Sequence, residues 1–238
     1  MQKTVIVVGD QFSAFANEET VITRSHLNYF LSKEPQEGIE IVVGQGLSHA
    51  DLEKLRELAF VSTPGQVAPL KLTHKHHADN VMISNPVDVG NFTYNMDLLL
   101  NDAQDRLLDH VTGTHVSGMV LIEAARQASI ACVEVAYRLQ EESIPQGFLW
   151  NSINGTFTRF TFPVPSRIVL RLAELQSEDP SCRPLASNVQ FFQGGKEVCT
   201  MELGFELRPA EVINAIEAKT GSKLVQGLTQ LEVAASVI

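Results

Sequence analysis

The sequence predicts an α+β chain in which an antiparallel sheet wraps round one long central helix, preceded by a small α/β unit. Three observations point there. The most apolar stretch, residues 116–136, carries Glu123, Arg126, Gln127 and Glu134 and reads as a buried helix, and no uninterrupted apolar run reaches the roughly 20 residues needed to span a bilayer. Strand-like segments flank it, two before and four after. The first 62 residues instead alternate strand-like and helix-like segments, the pattern of an α/β unit.

Taken in order, residues 4–8 and 39–43 are short β-branched runs, and residues 18–31 and 48–58 have helical character. Ser48 followed by Asp51 suits a helix N-cap. The Pro- and Gly-punctuated VSTPGQVAP, residues 61–69, reads as a linker. Residues 79–87 and 91–100 look like two strands around a turn at 88–90, and Phe92, Tyr94, Met96 and Leu98 alternate in the second. The helix follows at 117–140. Strand candidates then lie at 148–162, 167–175, 185–192 and 196–207, with Gly194–Gly195 joining the last two as a tight hairpin. Two strands, a long helix and four strands is the hot-dog topology. The expected organisation is a 1–62 unit, a 70–208 hot-dog domain and a 209–238 tail that opens with a short helix over 210–219.

Composition narrows the function classes. A length of 238 residues supports a sizeable core, and 44% apolar residues is ordinary for a globular protein. A formal net charge of -10 argues against a general nucleic-acid or anionic-membrane binder, although a local basic pocket for one phosphate is compatible with it. The short apolar run at the N-terminus has no small-residue cleavage pattern, so a cytoplasmic location is the default expectation. Cys132, Cys182 and Cys199 are odd in number and widely spaced, and neither a metal site nor a disulfide framework follows from them. No cofactor is implied: VVGDQFSAFA follows a strand without a nucleotide-binding glycine pattern.

The chemistry concentrates in DHVTGTHVSGMVLIEAARQ, residues 109–127. It sets Asp109 and His110 before a Gly- and Ser-containing turn, and Glu123 and Arg126 on the early turns of the helix. On a helical wheel Glu123, Arg126, Gln127, Glu134, Tyr137 and Arg138 share one arc. That arc either faces solvent, with Glu123 and Arg126 as a surface pair, or lines a cleft. A carboxylate and a guanidinium are costly to desolvate singly, which favours pairing or a ligand.

His110, Gly118 and Glu123 resemble the active-site stretch of hot-dog acyl-carrier-protein dehydratases. The Gly-to-Glu spacing agrees, while the His-to-Gly spacing is one residue shorter and the prolines are missing. More specifically, HKHHADNVMIS, residues 74–84, together with DH…LIEAARQA resembles the A-factor biosynthesis hot-dog family over roughly residues 70–207. The resemblance implies transfer of a β-ketoacyl chain, from an acyl carrier protein or acyl-CoA thioester, to the hydroxyl of dihydroxyacetone phosphate or a similar small phosphorylated acceptor. Members of that family usually hold two hot-dog repeats, whereas this chain has room for one. A homodimer is therefore implied, with sites built between two copies.

Within that resemblance, Glu123 and Arg126 are the expected catalytic pair. Glu123 would act as general base if burial raised its pKa toward neutrality, and Arg126 would bind phosphate or steady the oxyanion. His110 would assist, oriented by Asp109; a loop histidine bonded only to backbone is its alternative. Lys75 is a candidate contact for phosphate or the phosphopantetheine arm, against the alternative of a solvated charge run. Asn80 is expected to make a structural hydrogen bond, and Gly118 belongs to the motif. Arg159, on the strand after the helix, is a candidate for phosphate recognition. The His74–His77 cluster lacks the spacing of a metal site. Two other readings stay open: a dehydratase or thioesterase of the same fold, and a non-catalytic acyl-binding module.

Overall fold

A computed structural model of the chain describes residues 3–17, 19–33, 38–58, 60–102, 113–141 and 144–235. Its strands fall into two sheets. In the first, β1 (Lys3–Val8) lies between β2 (Val21–Thr23) and β3 (Ile39–Val43), all parallel. Helix α1 (Arg24–Lys33) follows β2, and α2 (His49–Arg56) follows β3. A short β4 (Val61–Ser62) pairs with β3 inside the stretch expected to be a linker. Val5, Val7, Ile41, Val43, Leu52 and Leu55 form the core of this unit. The Ser48 hydroxyl accepts from the Asp51 amide and starts α2. The helix expected over 18–31 begins only at Arg24, because the β-branched run Val21-Ile22-Thr23 pairs with β1 instead.

The second sheet is antiparallel and runs in the order β5 (Val87–Asp88), β6 (Thr93–Asp97), β8 (Arg167–Glu174), β9 (Arg183–Gln193), β10 (Lys196–Pro209), β7 (Gln146–Phe157). A four-residue helix α3 (Leu70–Thr73) precedes β5 and β6. Then come the long helix α4 (Gly118–Tyr137), β7, β8, β9 and β10. Residues 79–87, expected as one strand, instead begin in a 3-10 turn at Ala78–Asn80 and make isolated bridges at Ile83 and Ser84. Gly194 and Gly195 turn between β9 and β10 with φ of 54° and 74°, which side chains disfavour. The tail forms a 26-residue helix α5 (Ala210–Ala235), much longer than the short helix expected. No proline interrupts it, and its two glycines, Gly221 and Gly227, are tolerated in a helix interior at about 1 kcal/mol each.

Helix α4 is the filling of the second sheet. Val120, Leu121, Ala124, Ala125, Ala128 and Ala131 share a core with Ile168, Leu170, Val189, Phe191, Met201 and Leu203. The run of alanines leaves little side-chain bulk between helix axis and sheet. Ser129 donates to the Ala125 carbonyl and sits 2.7 Å from the Ser187 hydroxyl on β9, so its buried polar group is satisfied.

Gln45 fastens the two units together. Its amide nitrogen donates to the Leu98 carbonyl at 3.0 Å, and its oxygen accepts from the Leu100 amide at 2.9 Å. Its main-chain nitrogen donates to the Pro163 carbonyl, and Val8, Phe12 and Val21 from the first unit join the core around α4.

Candidate active site

Helix α3 ends at His74, whose left-handed φ of 51° redirects the chain onto one face of α4. The residues that follow, HKHHADNV, then lie along that face. Gln127 holds them there: its fully buried side chain accepts from the Met82 amide at 2.9 Å and donates to the Asn80 carbonyl at 2.9 Å. The same nitrogen donates to Glu123 at 3.0 Å. The two motifs singled out in the sequence are thereby brought into contact.

Glu123 is gripped from two sides. Arg126, one turn along the helix, donates through Nε and Nη2 to separate carboxylate oxygens at 2.8 and 2.9 Å. Lys75 Nζ lies 2.5 Å from Glu123 Oε1. The side chains of Glu123, Lys75 and Arg126 are 18%, 21% and 28% exposed, so the three are sheltered without being sealed from a ligand. Burial by itself pushes the Glu123 carboxyl upward and is the largest single influence. The hydrogen bonds from Arg126, Lys75 and Gln127 together outweigh it and hold the pKa down at about 2. The condition set for a general base, that burial raise it toward neutrality, is therefore not met: three donors outvote desolvation. Among the described residues, two cations around one anion leave the cluster with a net positive charge.

The polar arc of α4 does not face solvent along its length. Gln127 is buried, and so is Glu134, which is 4% exposed and lies 2.6 Å from His74 Nε2. Gln140 donates to the other Glu134 oxygen at 2.6 Å. Tyr137 donates to Glu174 and lies under the Arg183 guanidinium. Arg138 stands outside the helix in the left-handed region as its C-cap.

The remaining candidates are distributed differently. Asn80 contributes its carbonyl to Gln127 while its residue surface is exposed. Gly118 opens α4 directly under the Phe157 ring; a Cβ there would sit 3.0 Å from two ring carbons. Arg159 was expected on the strand after the helix, but β7 ends at Phe157. Arg159 is exposed beyond it, where the Thr158 and Arg159 amides both turn to the Val198 carbonyl, and it is not part of the Glu123 cluster. Asp109 and His110 lie outside the described residues. His115 packs edge-on against Phe160. Among the described residues no group of three or more His, Cys, Asp or Glu is placed to hold a metal ion, and no helix is long and apolar enough to cross a membrane.

The polar arc read from the sequence includes Gln127 and Glu134 but does not identify their partners, the Asn80–Met82 backbone and His74. A glutamine and a glutamate embedded in the apolar run 120–134 were the available signal, since buried polar side chains need partners.

An antiparallel sheet wrapped round α4 by way of two strands, the helix and four strands defines a hot-dog protein. In particular, the profile of the A-factor biosynthesis hotdog domain matches residues 59–207, and the chain belongs to that family. No curated protein sequence matches it. Among solved structures, it is similar to a dehydratase heterocomplex from Xenorhabdus doucetiae at 18% identity, covering 63% of this chain and 99% of that one with a TM-score of 0.46. A mutant thioesterase from Pseudomonas aeruginosa is similar at 15% identity, with 62% and 99% covered and a TM-score of 0.40. A thioesterase from Haemophilus influenzae is similar at 14% identity, with 61% and 94% covered and a TM-score of 0.40.

Proposed function

We infer that the protein is an acyltransferase that moves a β-ketoacyl chain from a carrier-protein or CoA thioester to the hydroxyl of a small phosphorylated acceptor such as dihydroxyacetone phosphate. The observation that carries this reading is the Lys75–Glu123–Arg126 cluster, a sheltered carboxylate inside a net-cationic site. An uncharged hydroxyacyl chain, the substrate of a dehydratase, has no use for two cations beside the acid/base group. A phosphorylated acceptor does.

In this reading the acceptor hydroxyl gives its proton to Glu123 as its oxygen attacks the thioester carbonyl. The tetrahedral oxyanion collapses, the carbon–sulfur bond breaks, and the thiol leaves with the proton. Arg126 and Lys75 hold the phosphate, and Arg126 also faces the developing oxyanion. His110, with Asp109, is the assisting acid/base group. No acyl-enzyme is required.

We also place the active unit in a homodimer. β7 is the outer strand of the six-stranded sheet and exposes Leu149, Ile153 and Phe157, and such an edge suits pairing with a second copy. The dimer would bring a partner strand close to the start of α4.

Mass spectrometry of reactions containing β-ketoacyl carrier protein, with and without dihydroxyacetone phosphate, tests the assignment. A phosphorylated ester formed only with the acceptor supports transfer. A free acid or a dehydrated chain in its place would overturn it in favour of hydrolysis or dehydration.

A further inference from the structure

The cluster has an internal conflict. Among the described residues Glu123 is the one carboxylate of the cluster, and Arg126 and Lys75 both direct their charge to it. A carboxylate so held is a poor proton acceptor, because taking a proton means giving up two charge-assisted contacts. The two cations do not depend on it equally. Arg126 is fixed through two nitrogens one helical turn away. Lys75 reaches in from the separate segment after α3 by one flexible side chain.

We propose that Lys75 is shared between two anions, holding Glu123 before an acceptor binds and passing to the phosphate of the incoming acceptor, so that the acceptor itself releases the base. The phosphate draws Lys75, and in part Arg126, away from the carboxylate, and adds its own negative charge nearby. Both effects favour the protonated form of Glu123. Gln127 keeps the carboxylate in place through this exchange, since its amide is anchored to Asn80 and Met82. Among the described residues, the charged groups facing Glu123 are Lys75 from the segment after α3 and Arg126 from its own helix. The consequence is selectivity: a thioester bound without a phosphorylated acceptor meets an unreactive carboxylate, and idle hydrolysis is suppressed.

This regulation rests on the acyl-transfer reading for its purpose, but its test does not need turnover. Carbon-13 NMR of glutamate-labelled full-length protein follows the Glu123 carboxyl through a pH titration, with Glu123→Gln giving the assignment and inorganic phosphate as the probe. Saturating phosphate should raise the Glu123 midpoint by about one pH unit or more, a tenfold change in proton affinity. In Lys75→Met the midpoint should start higher without phosphate, and phosphate should bind at least about tenfold more weakly, as loss of one charge-assisted contact requires. Phosphate that fails to bind the wild-type protein, or that binds and leaves the midpoint where it was, overturns the proposal. If Lys75→Met does not fold, the wild-type phosphate response alone decides. A protein that shows the response but forms no phosphorylated ester would refute the acyltransferase reading and leave the anion switch standing. Ester formation without the response would do the reverse.

Discussion

The side-chain oxygen of Gln127 accepts the main-chain N–H of Met82, 45 positions earlier, at 2.9 Å in a fully buried setting. With the Asn80 carbonyl on its nitrogen, this one amide fixes the HKHHADNV segment against helix α4. Gln127→Leu keeps the size and orphans two main-chain groups. Leaving them unpaired should cost about 2–4 kcal/mol, read from urea unfolding. Lys75 would also lose its aim, so phosphate binding should weaken in the same variant.

Acid should reveal the grip on Glu123. Its pKa of about 2 lies below the ordinary 4.5, so the unfolded chain takes up this proton first. The stabilisation is fully present above about pH 5 and drains away as pH falls through 4.5 toward 2. Screening by solvent at this partly open site limits it to about 1–2 kcal/mol. The stability difference between wild type and Glu123→Gln should therefore narrow between pH 5 and pH 3 in chemical unfolding series. A difference independent of pH across that range would mean the carboxylate is not held as described.

Gln45 joins the two sheets through Leu98 and Leu100. Gln45→Ala removes both contacts and strands a carbonyl and an amide in a buried seam. A loss of about 2–4 kcal/mol is expected, with the first unit exchanging its amide hydrogens earlier than β8–β10 in hydrogen-exchange mass spectrometry. Simultaneous exchange of both units would show that the seam is held by other contacts.

Placing a charge on the outer strand tests the assembly. Ile153, exposed on β7, becomes a buried charge in a dimer paired along that edge. Ile153→Asp should shift sedimentation from dimer to monomer and leave the far-ultraviolet circular dichroism unchanged.

Much of the architecture was legible because periodicity is local. The alternation through Tyr94 and Met96 and the apolar run of α4 each specify an element without reference to the rest of the chain. Residues 21–23 were less legible: three β-branched residues sit inside an otherwise helical stretch, and only pairing with β1 makes them a strand. In the site, Glu123 and Arg126 were readable as a pair from their one-turn spacing. What Lys75 does was not, because the contact spans the long separation from α3 to α4, and neither was the sign of the Glu123 shift. That sign depends on the number of donors reaching the carboxylate, a quantity fixed only when Gln127 and Lys75 converge in space.

Replacement of Glu123 itself bears most directly on the cluster as the chemical centre. In Glu123→Ala, thioester consumption in the presence of dihydroxyacetone phosphate should fall by at least about a hundredfold, the usual scale of a positioned acid/base group. The melting curve should still be cooperative and the dimer intact, because Lys75 and Arg126 are open enough for water to take the carboxylate's place. Full turnover by a folded Glu123→Ala protein would contradict the account.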